Sequence, residues 1–454
     1  MEAIRVTGIQ VVRLFDEINY DIRLEEEKPV GIIIAPNGRG KTTLLKLLAF
    51  ALRPDYDRYL EIRDIPFSRF VCSLSNRKKI VLRQVFTEQT AGEFRAQDSR
   101  GARVKAKAPK KIRDLEYVIL PAGKDEEKGN KGIRLGEILD RKQDFPLPAD
   151  YFTEAEMLEM FENRGIPSAA AAIRFSETLK KYIAGKKCVK PVIFIGTSRL
   201  QQTEVPRGRP GRPDGKGFTD PLEQAVEHIA EIIRTARGQY NMEVSKAKDR
   251  LPRLFLQNDE DLPEMDVFLE KWKAYTEELE KFQRIGLIEQ NKEFIRDSEI
   301  PHVYGTKKEF LNTYLAAFRD TTRPLNEVYD KLNLFKSIFD ERNSITHKTV
   351  TLGTDGLELY FRKKRLDFAA LSSGEKHDFI MFYNLIFNAE KGSMVLVDEP
   401  EISLHIEWQE SYLDHLIEIC AIHQMQAVVA THSPHIISSH FDCLVDKGEY
   451  DDPD

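Results

Sequence analysis

Four short stretches carry side chains whose types and spacing suit phosphate chemistry. The first, "APNGRGKTT", begins at Ala35. Gly38 and Gly40 let the backbone approach an anion closely, Lys41 reaches the β- and γ-phosphates, and Thr42 offers a hydroxyl to Mg2+. With Asn37, Arg39 and Thr43 they form a phosphate cradle at the start of a helix, where backbone N–H groups face outward. Ala35 stands where the pattern asks for glycine, and alanine is tolerated there if φ is negative. The second, "GSMVLVDEPEISLH", is an apolar run ending in Asp398 and Glu399. Asp398 suits Mg2+, and Glu399 suits alignment of an attacking water. Two adjacent carboxylates repel, and a metal with a polarised water offsets that cost. The third, "LSSGEK", sets Ser372, Ser373, Gly374 and Glu375 before a helical run, a second anion site at a helix start. The fourth, "VVATHSP", ends a strand at Thr431, His432 and Ser433, where His432 can hydrogen-bond a γ-phosphate.

Strands and helices must present these groups. "VGIIIA" reads as a buried strand and "TTLLKLLAFAL" as the helix behind it. The first ~50 residues alternate as half-buried strands do. Residues 79–97 read as a hairpin turning near Gly92. "KPVIFIGTSRL" at 190–200 is a further buried strand. Residues 100–113 hold seven basic residues and no acid, which reads either as a solvated loop or as a phosphate-backbone contact. "VPRGRPGRPDGKG" at 205–217 is a basic loop or hinge. Helical spacing follows. Leu222, Val226, Ile229 and Ile233 share one face, and Phe268, Trp272, Tyr275, Leu279 and Phe282 step by 4-3-4-3. Phe310, Leu311, Tyr314, Leu315 and Phe318 continue the pattern as helix–helix core. A helical hairpin fits these lengths better than a rod. Strand patterning resumes at 347–363, and "DKGEYDDPD" reads as a frayed tail.

A chain of 454 residues has room for roughly three domains. The net charge of −6 excludes a polycation, so any nucleic-acid contact must be local. Cys72, Cys188, Cys420 and Cys443 lack metal or redox spacing and fit a reducing compartment. With no apolar run long enough to span a bilayer, the expectation is a cytoplasmic protein without membrane contact.

As an ordered set, the four motifs resemble the ATP-binding-cassette ATPases. The resemblance covers about 150 residues at the two ends of the chain. It implies an α/β ABC-ATPase head, a mixed β-sheet around a phosphate-loop core, interrupted by a largely helical insertion. It implies ATP and Mg2+ as ligands, with Thr42 and Asp398 on the metal. Lys41, Glu399 and His432 become the catalytic set, and Ser372–Glu375 cap the nucleotide of a second copy. The implied domains are an N-terminal head lobe at 1–100, an insertion with the basic loop at 101–187, and a head strand with the Q-loop region at 188–202. A helical, arm-like insertion at 203–346 and a C-terminal head lobe at 347–454 follow. Lys41 and Ser372 stand 331 positions apart with a helical insertion between them, a layout that resembles the Rad50, SMC, RecF and OLD branch. The wording "DEPEISLHIEWQ" and "THSPHII" is most similar to the ATPase subunits of Septu-type or retron-associated antiphage systems, with PARIS as a near alternative. That resemblance implies head-to-head dimers or higher homo-oligomers, and a separately encoded effector nuclease of HNH or TOPRIM type. The alternative is a DNA-repair or chromosome-associated ATPase acting directly on DNA through the basic stretches. Gln201, Gln202 and Gln84 stand as Q-loop candidates, and Phe15 and Tyr20 as candidates for stacking on adenine.

Overall fold

Apolar runs without alternation form one sheet of the protein, and alternating runs form the others. A computed structural model describes residues 4–89, 110–122, 132–135, 167–183, 186, 190–196, 220–257, 262–289, 297–353, 356–402 and 406–446. In chain order it begins β1 (Val6–Leu14), β2 (Ile18–Arg23), β3 (Val30–Ile34), α1 (Lys41–Leu52), α2 (Tyr56–Arg63), β4 (Arg69–Leu74), β5 (Lys79–Gln89) and β6 (Lys110–Leu120). Next come β7 (Ile133–Arg134), α3 (Pro167–Ile183) and β8 (Val192–Ile195). The helical part holds α4 (Pro221–Gln257), α5 (Met265–Arg284), α6 (Ile300–Phe318) and α7 (Arg323–Arg342). It continues with β9 (Lys348–Leu352), β10 (Leu357–Phe361), β11 (Lys364–Leu366) and α8 (Ser373–Tyr383). The chain ends through β12 (Met394–Asp398), α9 (Ile406–Gln409), α10 (Tyr412–His423), β13 (Gln426–Thr431), α11 (Pro434–Ile437) and β14 (Leu444–Asp446).

These elements divide into two compact units, 1–204 with 390–454, and 205–389. Residues 347–389, with the "LSSGEK" motif, belong to the second unit beside the helices.

In the first unit, β14, β3, β13, β12 and β8 form a parallel sheet in that order. Strands buried on both faces need apolar residues throughout, and β12 and β13 are buried at every position. A second, antiparallel sheet runs β2-β1-β4-β5-β6-β7. Its β2 shows the alternating burial that one covered face produces. Helix α1 contacts strands of both sheets. Its Leu44, Leu45, Leu47, Leu48, Phe50 and Leu52 are all buried, so it is apolar nearly all round as a core helix must be. The Tyr117 hydroxyl donates to the Ala51 carbonyl at 2.7 Å and seals the C-terminal end of α1. Gln426 joins the two sheets: its amide pairs with both backbone groups of Val6 at 2.8 Å.

The hairpin expected over 79–97 is longer than the sequence suggests. The strand paired with β5 is β6, in register from Lys79↔Leu120 to Gln89↔Lys110. Leu115, Tyr117 and Ile119 supply the inward face that drives this pairing, whereas "GEFRAQ" at 92–97 lies outside the described residues. Lys110, Lys111 and Arg113 of the basic stretch are therefore strand residues and not loop.

In the second unit, all five residues of the 4-3-4-3 seam on α5 are buried. Phe268, Trp272, Tyr275 and Leu279 pack with Tyr304, Leu311, Leu315 and Phe318 of α6. Phe310, expected in that core, is exposed: one helical step before Leu311, it lies off the face that buries Leu311, Leu315 and Phe318. On α4, Leu222, Ile229 and Ile233 are buried and Val226 is half-buried. The architecture is the expected α/β class, mixed sheets around a phosphate-loop core with a largely helical insertion. Among the described residues no helix is long and apolar enough to cross a membrane.

Candidate nucleotide site

The carboxyl ends of neighbouring parallel strands bring three of the four motifs together. Thr431 of β13 pairs with Ile34 of β3, and Asp398 of β12 pairs with Ala430 of β13. Ligands bind open α/β sheets at such ends. The loop 35–40, the pair Asp398-Glu399 and His432 therefore share one edge. β8 ends beside them, since its Ile195 pairs with Val397. The continuation that holds Ser198, Gln201, Gln202 and 205–217 lies outside the described residues.

In the loop, Pro36, Asn37, Gly38 and Arg39 are exposed, and Thr43 is half-buried. Gly38 and Gly40 adopt φ of 82° and 80°, the left-handed region that favours glycine. Ala35 is buried and has no positive φ, which is the condition under which alanine replaces glycine without strain. Gly40 is the N-cap of α1, and a Cβ there would meet Leu14 Cδ2 at 2.8 Å and Phe15 Cε2 at 3.1 Å. Around Gly38 nothing lies within 4 Å of that position, so the cradle is open on that side.

Lys41 is buried and donates to the carbonyls of Ala35 at 2.7 Å and Pro36 at 3.2 Å. Its Nζ lies 3.7 Å from Glu399 Oε1. Thr42 Oγ1 donates to Asp398 Oδ2 at 2.8 Å. The other oxygen, Oδ1, is buried and has no hydrogen-bond partner. A buried unpaired carboxylate oxygen is costly, so the Thr42–Asp398 pair fits Mg2+ by its donor set. Burial raises the Asp398 carboxyl above its ordinary range, opposed by the Thr42 hydrogen bond and assisted by the charge of Glu399. Glu399 has φ 47°, an uncommon conformation for a residue with a side chain, and its N–H donates to Ala430 O at 2.8 Å. Such local strain concentrates at functional sites.

His432 follows β13, with Nδ1 3.9 Å from Glu399 Oε1 and 2.9 Å from Glu401 Oε1. The resemblance makes 401–405 a loop that communicates across a dimer of heads, and it gives Glu401 no contact of its own. Only a carboxylate two positions beyond Glu399 signals it, and nothing local to the sequence says which residue it faces.

Two aromatic candidates separate. Tyr20 is 4% exposed and its hydroxyl donates to the Arg39 carbonyl at 2.6 Å, so it braces the loop from inside and cannot stack on a base. Phe15 is 41% exposed beside Gly40. Gln84 is likewise tied down. Its Nε2 donates to Ile65 O at 3.0 Å and its Oε1 accepts from Phe67 N at 3.4 Å, which uses both ends of the amide.

The fourth motif lies in the second unit. Ser372 is the N-cap of α8 and forms a capping box with Glu375. Ser372, Ser373 and Gly374 are exposed, and Glu375 is buried. The Glu375 carboxylate accepts from Ser372 N at 2.7 Å, Lys348 Nζ at 2.7 Å and Thr346 Oγ1 at 3.1 Å. Burial alone would raise its pKa, but these partners outweigh burial and hold it below the usual range. Glu375 thus anchors the turn from beneath, and Ser373 and Gly374 are the groups presented outward.

Residues 218–438 match the family described as "AAA domain, putative AbiEii toxin, Type IV TA system". The match supports an ATPase of the AAA type. It contains Ser372–Glu375, Asp398, Glu399 and His432 and leaves the loop at 35–43 outside, so that loop stands on its own geometry. Among solved structures, one described as "Crystal structure of the SmcHead bound to the C-winged helix domain of ScpA" is similar at 11% identity. The similarity has a TM-score of 0.31 over 95% of this chain and 91% of that chain, a likeness too slight to bear on function. No curated protein matches the sequence.

Proposed function

We propose that the protein binds and hydrolyses ATP as the regulatory subunit of a prokaryotic antiphage defence complex, controlling a separately encoded effector nuclease through ATP-dependent engagement of its heads. The observation that carries the ATPase part is the Thr42–Asp398 hydrogen bond, which joins two phosphate-chemistry motifs across 356 positions of sequence.

In this reading, backbone N–H groups of Asn37–Thr43 take up phosphate oxygens. Lys41 exchanges its two carbonyl partners for the β- and γ-phosphates. Thr42 and Asp398 would hold Mg2+, which would supply positive charge to offset that of the phosphates. Glu399 orients the attacking water and accepts its proton, and His432 contacts the γ-phosphate side. Ser373 and Gly374 act on the nucleotide of a second copy, with Ser372 and Glu375 holding that turn in shape. Phe15 is the aromatic ring offered to adenine, and the Q-loop role falls to Gln201 or Gln202. The defence role rests on the wording of the 398–409 and 431–437 segments. It is supported by the matched family's description, which names a putative toxin. An HNH or TOPRIM-type nuclease is the expected effector, and the cytoplasm the expected setting.

Glu399→Gln should retain ATP, accumulate as an ATP-bound dimer or larger oligomer in light scattering, and lose about 10²–10⁴-fold in phosphate release. Lys41→Ala should lose both ATP binding and hydrolysis. Normal turnover in either variant sinks the ATPase reading. Separately, Lys41→Ala should abolish protection of cells challenged with phage; equal plaque counts with and without the intact system would sink the defence role alone. Salt-sensitive duplex binding that disappears when Lys105, Lys107, Lys110 and Lys111 become Glu would favour direct action on DNA instead.

A further inference from the structure

The 3-10 turn Phe441–Cys443 leads the chain into β14, whose Leu444 pairs with Ile32 of β3. His440 is the N-cap of that turn, and Cys443 N donates to His440 O at 3.1 Å. Residues three apart eclipse in 3-10 geometry, so His440 and Cys443 come to one side. A ring nitrogen of His440, a carboxylate oxygen of Asp442 and Cys443 Sγ all lie within 4.8 Å of one another. The nucleotide site uses none of the three. Cys443 is buried, whereas 67% of the Asp442 side chain is exposed. The thiol makes one long contact of its own, 3.9 Å to Asp442 Oδ1. A second segment reaches the same place. Asp414, in the first turn of α10, meets His440 Nε2 through Oδ1 at 2.8 Å. The cation beside the cluster is Lys28. It donates to the Asp442 carbonyl at 2.5 Å and to Glu25 Oε1 at 3.3 Å, and stands 3.7 Å from the Asp442 carboxylate. That carboxylate is therefore approached by Lys28 but not closed off by it.

We propose that His440, Asp442 and Cys443 form a site for a transition-metal ion of the Zn2+ class, with Asp414 orienting the His440 ring. Zn2+ accepts thiolate, imidazole and carboxylate together, at bond lengths of about 2.0–2.3 Å. Atoms already within 4.8 Å of one another reach one such ion by side-chain rotation, for which exposed Asp442 has room. A fourth position is left to water. The thiol argues against Mg2+ and Ca2+, which take oxygen. A histidine that ligates through one nitrogen usually gives its other to a carboxylate, and Asp414 is placed for that part. The cysteines carry no metal spacing among themselves. This set instead draws one thiol and two neighbours from "HFDC", which a search for paired cysteines passes over. An ion held here ties the turn before β14 to α10 through the His440–Asp414 contact, and so braces the strand beside β3. None of this rests on the ATPase reading.

Co2+ is the probe, because cobalt bound to a thiolate absorbs strongly in the near ultraviolet. Titrating the purified full chain with Co2+ should raise that band to a single equivalent, and Zn2+ should then bleach it. Cys443→Ser should abolish the band. Asp414→Asn should keep the band at saturation and weaken Co2+ binding about 10–100-fold. Zn2+ should raise the unfolding midpoint of the wild type more than that of Cys443→Ser, and Mg2+ should do neither. Absence of the band in the folded wild type overturns the proposal. A band of full strength in Cys443→Ser does so too, since the thiolate would then belong to another cysteine. If the serine variant does not fold, His440→Gln takes its place, and wild-type Co2+ affinity in it overturns the site. No step involves nucleotide. Persistent turnover in Lys41→Ala would thus remove the ATPase reading and leave the metal site standing.

Discussion

A lysine–glutamate pair occurs in both candidate nucleotide-binding regions, and the two pairs differ. Lys41 and Glu399 stand 3.7 Å apart at the edge of the parallel sheet, whereas Lys348 and Glu375 meet at 2.7 Å beneath the start of α8. In the first pair the two partners are only loosely joined to each other: Lys41 donates to two carbonyls, and Glu399 faces both Lys41 and His432. In the second, the carboxylate is saturated by Ser372, Thr346 and Lys348, and the exposed groups lie above it. In the proposed reading, the loose pair is the one that exchanges its contacts for a substrate. The tight pair is arranged to keep a backbone turn in one shape. Contact length separates the two roles where residue type does not.

The largest test of that difference is thermal unfolding. Lys348→Met leaves a buried carboxylate without its cation and should destabilise the fold by about 3 kcal/mol. Glu399→Gln, acting on the loose pair, should leave the unfolding midpoint almost unchanged. Equal losses in the two variants would break the comparison.

A smaller effect separates the two loop glycines. Both have positive φ, so alanine at either costs about 1–2 kcal/mol of backbone strain. At Gly40 the added Cβ also collides with Leu14 and Phe15, whereas at Gly38 it meets nothing. Gly40→Ala should therefore lower the unfolding midpoint more than Gly38→Ala. The reverse order would mean that α1 does not hold its first turn rigidly.

The smallest effect is the pH dependence at Asp398. Its folded carboxyl is raised by burial from the ordinary 3.8, so ionisation opposes folding. The stability associated with the protonated acid is complete below the unfolded value and is lost as pH rises through the folded one. Asp398→Asn should accordingly raise the unfolding midpoint at neutral pH while abolishing hydrolysis. The gain should vanish in acid, and a gain independent of pH would refute the sign.

Much of the site is legible from spacing because it is local. Gly38, Gly40, Lys41 and Thr42 sit on one strand–loop–helix turn, and four positions of unbroken apolar sequence before Asp398 suffice to mark β12 as buried on both faces. Pairings across the chain are less legible. The partner of β5 is β6, in register to Gln89↔Lys110, whereas the sequence suggests a nearer turn at Gly92, which lies outside the described residues. Phe310 and Leu311 both read as core from residue type, yet adjacent helix positions point about 100° apart and only Leu311 is buried.

Sequence alone marked the candidate chemistry: which backbone segments are proposed to receive phosphate, which acids follow which strand, and that a helical insertion divides the chain. Period, glycine placement and strand-end residues act over a few positions, so short stretches suffice to specify them. Tertiary structure decided which chemically similar side chain does which work. It buried Tyr20 and exposed Phe15, turned Glu375 inward while presenting Ser373 and Gly374, and set Glu401 against His432 across 31 positions of sequence. Those choices depend on packing between distant segments, which local pattern does not encode.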